Sequence, residues 1–220
     1  FDAVIATGVT TLEIERHTEC EVTNINPGVD TNLFDPNGKS ISSNAATTLL
    51  WVGRFVPAKN LTLLLEAFSV IHDRFPDTEL ILVGDGPLRD DVEADIDKRG
   101  LRQAVTVEGY VSNDRLPEYY RGSDMFVLSS QTENHPIVLL EALSTATPVV
   151  APKIGWIPEM IDDDSTGLLY EPVSTRELVR SISSLMSSEE LQTKIGFQGR
   201  NETIKNFDWE ERAAKFKNIL

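Results

Sequence analysis

The stretch TLLWVGRFVPAKNLTLLLEAFSVIHDRFPDTELILVGDGPL, Thr48–Leu88, decides the fold. It opens on an apolar run ending in glycine, TLLWVG (48–53), and closes with another, ELILVG (79–84). Between them NLTLLLEAFSVIHDRF (60–75) repeats apolar residues at helical spacing. Short runs rich in Val, Ile and Leu, closed by a turn residue, read as strands. The unit is therefore strand–helix–strand. Strands apolar on both faces imply parallel pairing with helices covering both sides.

The same alternation continues outward. Further strands are expected at AVTVEG (104–109), DMFVLSS (124–130) and TPVVAP (147–152), with a weaker one at GLLY (167–170). Helical patterns fall at PLRDDVEADIDKRG (87–100), DRLPEYYRG (114–122) and PIVLLEALSTA (136–146). This predicts an α/β fold, a doubly wound Rossmann-like parallel sheet. Beyond Val173 the pattern turns helical, near 174–187, 189–205 and 208–219. The first residues differ. FDAVIATG and EVTNINPG are strand-like, Pro27, Gly28, Pro36 and Gly38 bracket an exposed loop, and SISSNAATT (40–48) reads as a surface connection. The chain is thus expected to form one domain over 1–220. Leading strands and a linker occupy 1–47, the α/β core 48–173 and carboxyl-terminal helices 174–220. Because it starts inside a strand-like run, a piece of something longer is expected.

The 220 residues carry 35 acidic against 20 basic side chains, a net charge of −15, which argues against a nucleic-acid footprint. The acidic excess fits a halophile's solvated surface and an acidic cytosolic protein equally. No apolar run approaches the roughly 20 residues that span a bilayer, and Phe1 is preceded by no basic leader, so a cytoplasmic place is expected. Cys20 is the single cysteine, so no intrachain disulfide can form.

Open α/β sheets bind ligands at the carboxyl ends of their strands. The first core strand ends in Gly53, Arg54 and, after a turn, Lys59: two cations that could clamp a diphosphate, or a surface pair in a turn. The second ends in Gly84, Asp85, Gly86 and Pro87. This helix-entry turn, with Pro87 at the first helical position, lacks the third glycine of a dinucleotide fingerprint. At the third, Gly109 and Tyr110 could bound a base pocket, or Tyr110 could simply pack. The fourth ends in SSQTENHP, where Pro136 sets a helix start near His135–Pro136. The free amides of that turn, over Asn134, His135, Pro136 and Ile137, attract a phosphate. Glu133 lies just before this helix, and Glu141 eight residues on within LLEAL. An ionised carboxylate among such apolar neighbours needs a specific partner. Carboxylates accept paired hydroxyls well, so Glu133 could hold a hexose and Glu141 a ribose. The alternatives are a helix-end charge for Glu133 and, for Glu141, a partner to a basic residue. His135 either donates to a phosphate or shapes the loop. His17 and His72 read as structural. No spacing suits a metal.

PGVD…F (27–34), VGRFVPAKN, VGDGPL, EGYVS, the Glu133/Glu141 pair, PVVA and GWIPEMI…TGLLY together resemble the family 4 retaining glycosyltransferases. The likeness covers nearly the whole chain and matches the carboxyl-terminal, donor-binding half of the GT-B fold. It implies transfer of a hexose with retention, from a nucleoside diphosphate sugar, by default a UDP-sugar, with no cofactor and no essential metal. It implies Arg54 and Lys59 as the diphosphate pair, Glu133 as the sugar carboxylate and Glu141 as the ribose carboxylate. A glycan or lipid acceptor is expected through an absent amino-terminal domain, with peripheral contact at the inner membrane face. Alternatives are a sugar-nucleotide-binding module without turnover and an epimerase on the same fold, for which acid–base residues are not evident. The chain departs from the family pattern at Pro27, Asn134, His135, Ala146 and Trp156, positions where glycine or a different loop residue is usual.

Overall fold

The computed structural model describes residues 3–6, 21–24 and 27–217. His17, Cys20 and the end of the expected last helix lie outside the described residues. Strands β1 (Ala3–Ala6) and β2 (Glu21–Asn24) pair in parallel as a two-stranded sheet. The main sheet has six parallel strands: β3 (Thr47–Val52), β4 (Thr78–Val83), β5 (Val105–Gly109), β6 (Met125–Val127), β7 (Val149–Pro152) and β8 (Leu168–Tyr170). Their spatial order is β5-β4-β3-β6-β7-β8. The chain winds outward from β3 to β5, then returns to lay β6 on the other side of β3. This reversal, between β3 and β6, is the topological switch point where a doubly wound sheet opens a crevice.

The strand sequences dictate the layers. Side chains alternate across a pleated strand, so Leu49 and Trp51 of β3 face one way, and Leu50 and Val52 the other. The first face packs against α1 (Leu61–Arg74), α2 (Arg89–Lys98) and α6 (Thr175–Met186), with Phe68, Ile96 and Ile182 fully buried. The second packs against α3 (Leu116–Arg121), α4 (Ile137–Ser144) and the short α5 (Ile157–Met160). At about 1.5–3 kcal/mol for each large apolar side chain taken from water, two such layers account for the apolar strands. Two serines start the terminal helices. Ser174 accepts from Glu177 N at 3.2 Å before α6, and Ser188 accepts from Leu191 N at 3.1 Å before α7 (Glu189–Phe207). The last described helix is α8 (Trp209–Lys217), whose first turn is capped by Asp208.

The expected elements are present, with corrections at their ends. The fourth core strand is three residues long, not seven, because Leu128 is the last residue there to donate to β7, at Val150 O. Pro87 stands before α2 and not in its first turn; the helix starts at Arg89. Helix α5 and the 3-10 turn Pro57–Lys59 were not expected, both being too short to show a period. His72 is structural, stacked on Phe68 and 3.2 Å from Thr78 Oγ1. Among the described residues no helix is long and apolar enough to cross a membrane.

Candidate functional site

The crevice floor is main chain. Gly53 N donates to Val83 O at 3.0 Å, and Gly84 N to Gly109 O at 2.7 Å, so three strand ends are laced together. Gly84 has φ +130°, and a Cβ placed there would lie 1.8 Å from Gly53 O. No other residue fits. The two loops beyond are joined as closely: Phe55 N donates to Asp85 O at 2.9 Å and Leu88 N to Phe55 O at 3.1 Å.

One wall comes from the loop after β3, the other from the loop after β6. Ser129 Oγ donates to Lys59 O at 2.8 Å and Gln131 N to Ala58 O at 2.8 Å, which fixes the loops against each other. Lys59 Nζ then forms an ion pair with Glu133 Oε1, and Ser130 Oγ donates to the same oxygen at 2.6 Å. The carboxylate side chain is only 9% exposed. Lys59 and Glu133 are therefore one unit, where the sequence suggested a phosphate clamp and a separate sugar ligand. Lysine has three N–H donors, so the ammonium keeps capacity for a second anion. Arg54 is exposed and has no ion pair among the described residues.

Helix α4 begins one residue later than expected. Pro136 is its N-cap, with φ −72° and ψ 95°, and Ile137 its first residue. Leu139 N is taken up by Pro136 O, while Ile137 N and Val138 N find no acceptor among the described residues. Pro136 has no N–H and so supplies no amide, while Asn134, in the exposed loop before it, like Ile137 and Val138, finds no acceptor for its N–H among the described residues. Gly155, at φ +52°, packs so tightly on this loop that a Cβ would lie 2.1 Å from Glu133 O. Beside it His135 meets Trp156, ring centroids 4.9 Å apart. Burial pushes the His135 pKa down, and its Nε2 is sealed without a partner among the described residues. A neutral ring packed on an indole fits the loop-shaping role better than phosphate donation.

Glu141 lies in the second turn of α4 and is 8% exposed. Among the described residues its partner is not basic, which corrects one expected alternative: the Tyr120 hydroxyl donates to Oε2 at 2.7 Å. Burial raises the Glu141 pKa, and this hydrogen bond opposes the rise. Tyr110, the residue after Gly109 (φ +76°), is 82% exposed, so it does not pack into the core either. An aromatic ring standing free at a strand end is available for stacking. Ser130, Tyr120 and Gly155 were missed from sequence: a serine, a tyrosine of a YY pair and a turn glycine carry no spacing signal of their own. No group of three or more metal-ligating side chains is assembled among the described residues.

The arrangement combines a peptide floor, cations, two open helix amides and two sheltered carboxylates. The family model of glycosyl transferases group 1 matches residues 38–202. A sulfoquinovosyl transferase from Arabidopsis thaliana is 31% identical over 204 residues, covering 88% of this chain and 38% of that protein. A GDP-mannose-dependent phosphatidylinositol monomannoside mannosyltransferase from Mycolicibacterium smegmatis is 26% identical over 208 residues, covering 88% of this chain and 54% of the other. The chain thus spans about half or less of the curated relatives it matches. Among solved structures, a carboxyl-terminal domain of a group 1 glycosyl transferase from Francisella tularensis superposes with a TM-score of 0.72 at 26% identity, covering 83% of this chain and 100% of that one. Sucrose-phosphate synthase from Thermosynechococcus elongatus superposes at 0.88 with 25% identity, over 99% of this chain and 57% of that chain. By its family match, its sheet order and the strand-end site built on them, the chain belongs to the glycosyl transferases of group 1.

Proposed function

We propose that this chain binds a nucleoside diphosphate sugar in the crevice between β3 and β6 and is the donor-binding half of a retaining, family 4 hexosyltransferase. The observation that carries this is the convergence of Lys59, Glu133 and the free Ile137 and Val138 amides at the switch point. The diphosphate lies over the amides, its charge met by Arg54 and Lys59. Glu133 accepts hydroxyls of the hexose, Glu141 those of the ribose, and Tyr110 flanks the base. As the glycosidic bond breaks, negative charge grows on the leaving phosphate, and fixed donors aimed there lower the barrier most. The acceptor oxygen, from a glycan or lipid held by an amino-terminal domain, attacks from the leaving-group side, which retains configuration. No metal or cofactor enters this scheme. The enzyme acts in the cytoplasm, with the acceptor presented at the inner membrane face.

Titration calorimetry with UDP, GDP and ADP and their hexose conjugates tests the reading. UDP is the first probe; GDP is the second because the mannosyltransferase relative is named for GDP-mannose. Glu141→Gln is expected to weaken bare nucleotide and sugar nucleotide alike, and Glu133→Gln the sugar nucleotide more. Equal losses from both substitutions on both ligands would overturn the division of labour. Binding of a sugar nucleotide without any transfer by the full-length protein would favour a binding module.

A further inference from the structure

We propose that Tyr120 is the positioning residue for Glu141: its hydroxyl fixes one carboxylate oxygen, so that the other is presented, ionised, to the nucleotide's ribose. This rests on the ribose role given to Glu141 above.

Glu141 is 8% exposed, with Leu140 and Ala142 on either side fully buried. A carboxyl group in such surroundings drifts toward its neutral form, and a neutral carboxyl is a poorer acceptor for two hydroxyls. A free carboxylate can also turn about its last torsion, which is broad. Tyr120 opposes both tendencies. Its O–H reaches Glu141 Oε2 at 2.7 Å, and Oε1 has no partner among the described residues.

The phenol cannot follow a moving carboxylate, because it is caged. Tyr120 is fully buried. Phe34 meets its ring edge-on at 5.9 Å, and Phe126 lies tilted at 5.7 Å. Thr147 Oγ1 donates to its backbone oxygen at 2.9 Å, tying α3 to the segment leading into β7. Burial, and next the Glu141 charge, hold the Tyr120 pKa well above the ordinary phenol range, so it remains a donor at every working pH. Arg200 on α7, which packs along α4, does not compete: it pairs with Asp35 at 2.7 Å and with the Ser144 and Phe34 carbonyls. That cation is therefore committed elsewhere, and the tyrosine is the hydrogen-bond partner of the Glu141 carboxylate among the described residues.

The experiment compares wild type, Tyr120→Phe, Glu141→Gln and the double variant by calorimetry. UDP, GDP and ADP are used, and the tightest is carried forward with its 2′,3′-dideoxy analogue, from pH 5 to pH 8. Tyr120→Phe keeps the ring and its cage. It is expected to weaken the ribonucleotide about tenfold, equivalent to about 1.4 kcal/mol. The dideoxy analogue should lose nothing. Adding Tyr120→Phe to Glu141→Gln should cost nothing more. The acidic limb of the affinity profile should move to higher pH in Tyr120→Phe, since the bond that opposes Glu141 protonation is gone. A variant with a lowered melting temperature but unchanged affinity and acidic limb overturns the proposal and leaves the ribose role standing. Unchanged affinity in Glu141→Gln overturns both.

Discussion

Replacing Ala146 by glycine is expected to stabilise this protein. Ala146 occupies the residue beyond the C-cap of α4 with φ +59°. Its N–H donates to Leu143 O at 3.0 Å and the next, Thr147 N, to Ala142 O at 2.9 Å. These two bonds form the helix-ending motif that usually places glycine at this position. A left-handed residue carrying a Cβ costs roughly 1–2 kcal/mol. Glycine removes that cost but adds about 0.5–1 kcal/mol of backbone entropy to the unfolded chain. Losing the half-buried methyl takes back roughly half of about 0.8 kcal/mol. The midpoints leave a gain of about 0.4 kcal/mol, hence a rise in melting temperature of about 1 °C for a chain of this size. Differential scanning calorimetry resolves such a shift. Gly196 supplies the opposite sign: a Cβ there would lie 2.2 Å from Ala146 O, so Gly196→Ala should prise α7 from α4 and lower the melting temperature. An Ala146→Gly variant that melts at or below wild type would refute the reasoning. Nucleotide affinity should not change in it.

Arg54→Ala should weaken nucleoside diphosphate binding by about 2–4 kcal/mol, as expected for truncating a charge that becomes paired and desolvated. It should leave the melting temperature alone, and calorimetry reads both. Gly84→Ala should fail to fold or should melt far below wild type, because the added Cβ meets Gly53 O at 1.8 Å; a native circular dichroism melt would contradict the backbone contact. For His135 the folded pKa lies below the ordinary histidine value of 6.5. Its contribution to stability is therefore complete above pH 6.5 and drains away as pH falls through the folded pKa. The melting temperature of wild type minus that of His135→Phe should fall across that window, and a flat difference would mean that the imidazole is not held neutral against Trp156.

The parallel sheet and its two helical layers were legible from the sequence because long runs, such as 60–75 and 79–84, carry a clear period, whereas the spatial order of the strands came only from the structure. The strand-end glycines and Glu133 could be singled out because the carboxyl ends of parallel strands are where such sheets bind ligands, and Glu141 because a carboxylate among apolar helix residues demands a partner. What could not be read was partnership. Nothing in the spacing of Lys59 and Glu133, 74 residues apart, announces an ion pair. Nor does a tyrosine 21 residues before Glu141 announce its hydrogen bond. Such contacts arise only when separate strand–helix units are laid side by side, so a period within one unit is silent about them. Ala146 is intermediate. Its departure from the glycine pattern was visible, while the positive φ that gives the departure a cost was not.

The floor of bare peptide groups at Gly53, Gly84 and Gly109 has an evolutionary corollary. Its contacts depend on the absence of side chains, so mutation can break them but has almost no means of retuning them. Diversification among proteins sharing this floor is thereby channelled to the rim. In this chain the exposed rim positions include Tyr110, which is 82% exposed, together with Arg54 and Asn134. Substitution at those three residues can change what the rim presents while leaving the glycines and their backbone contacts untouched.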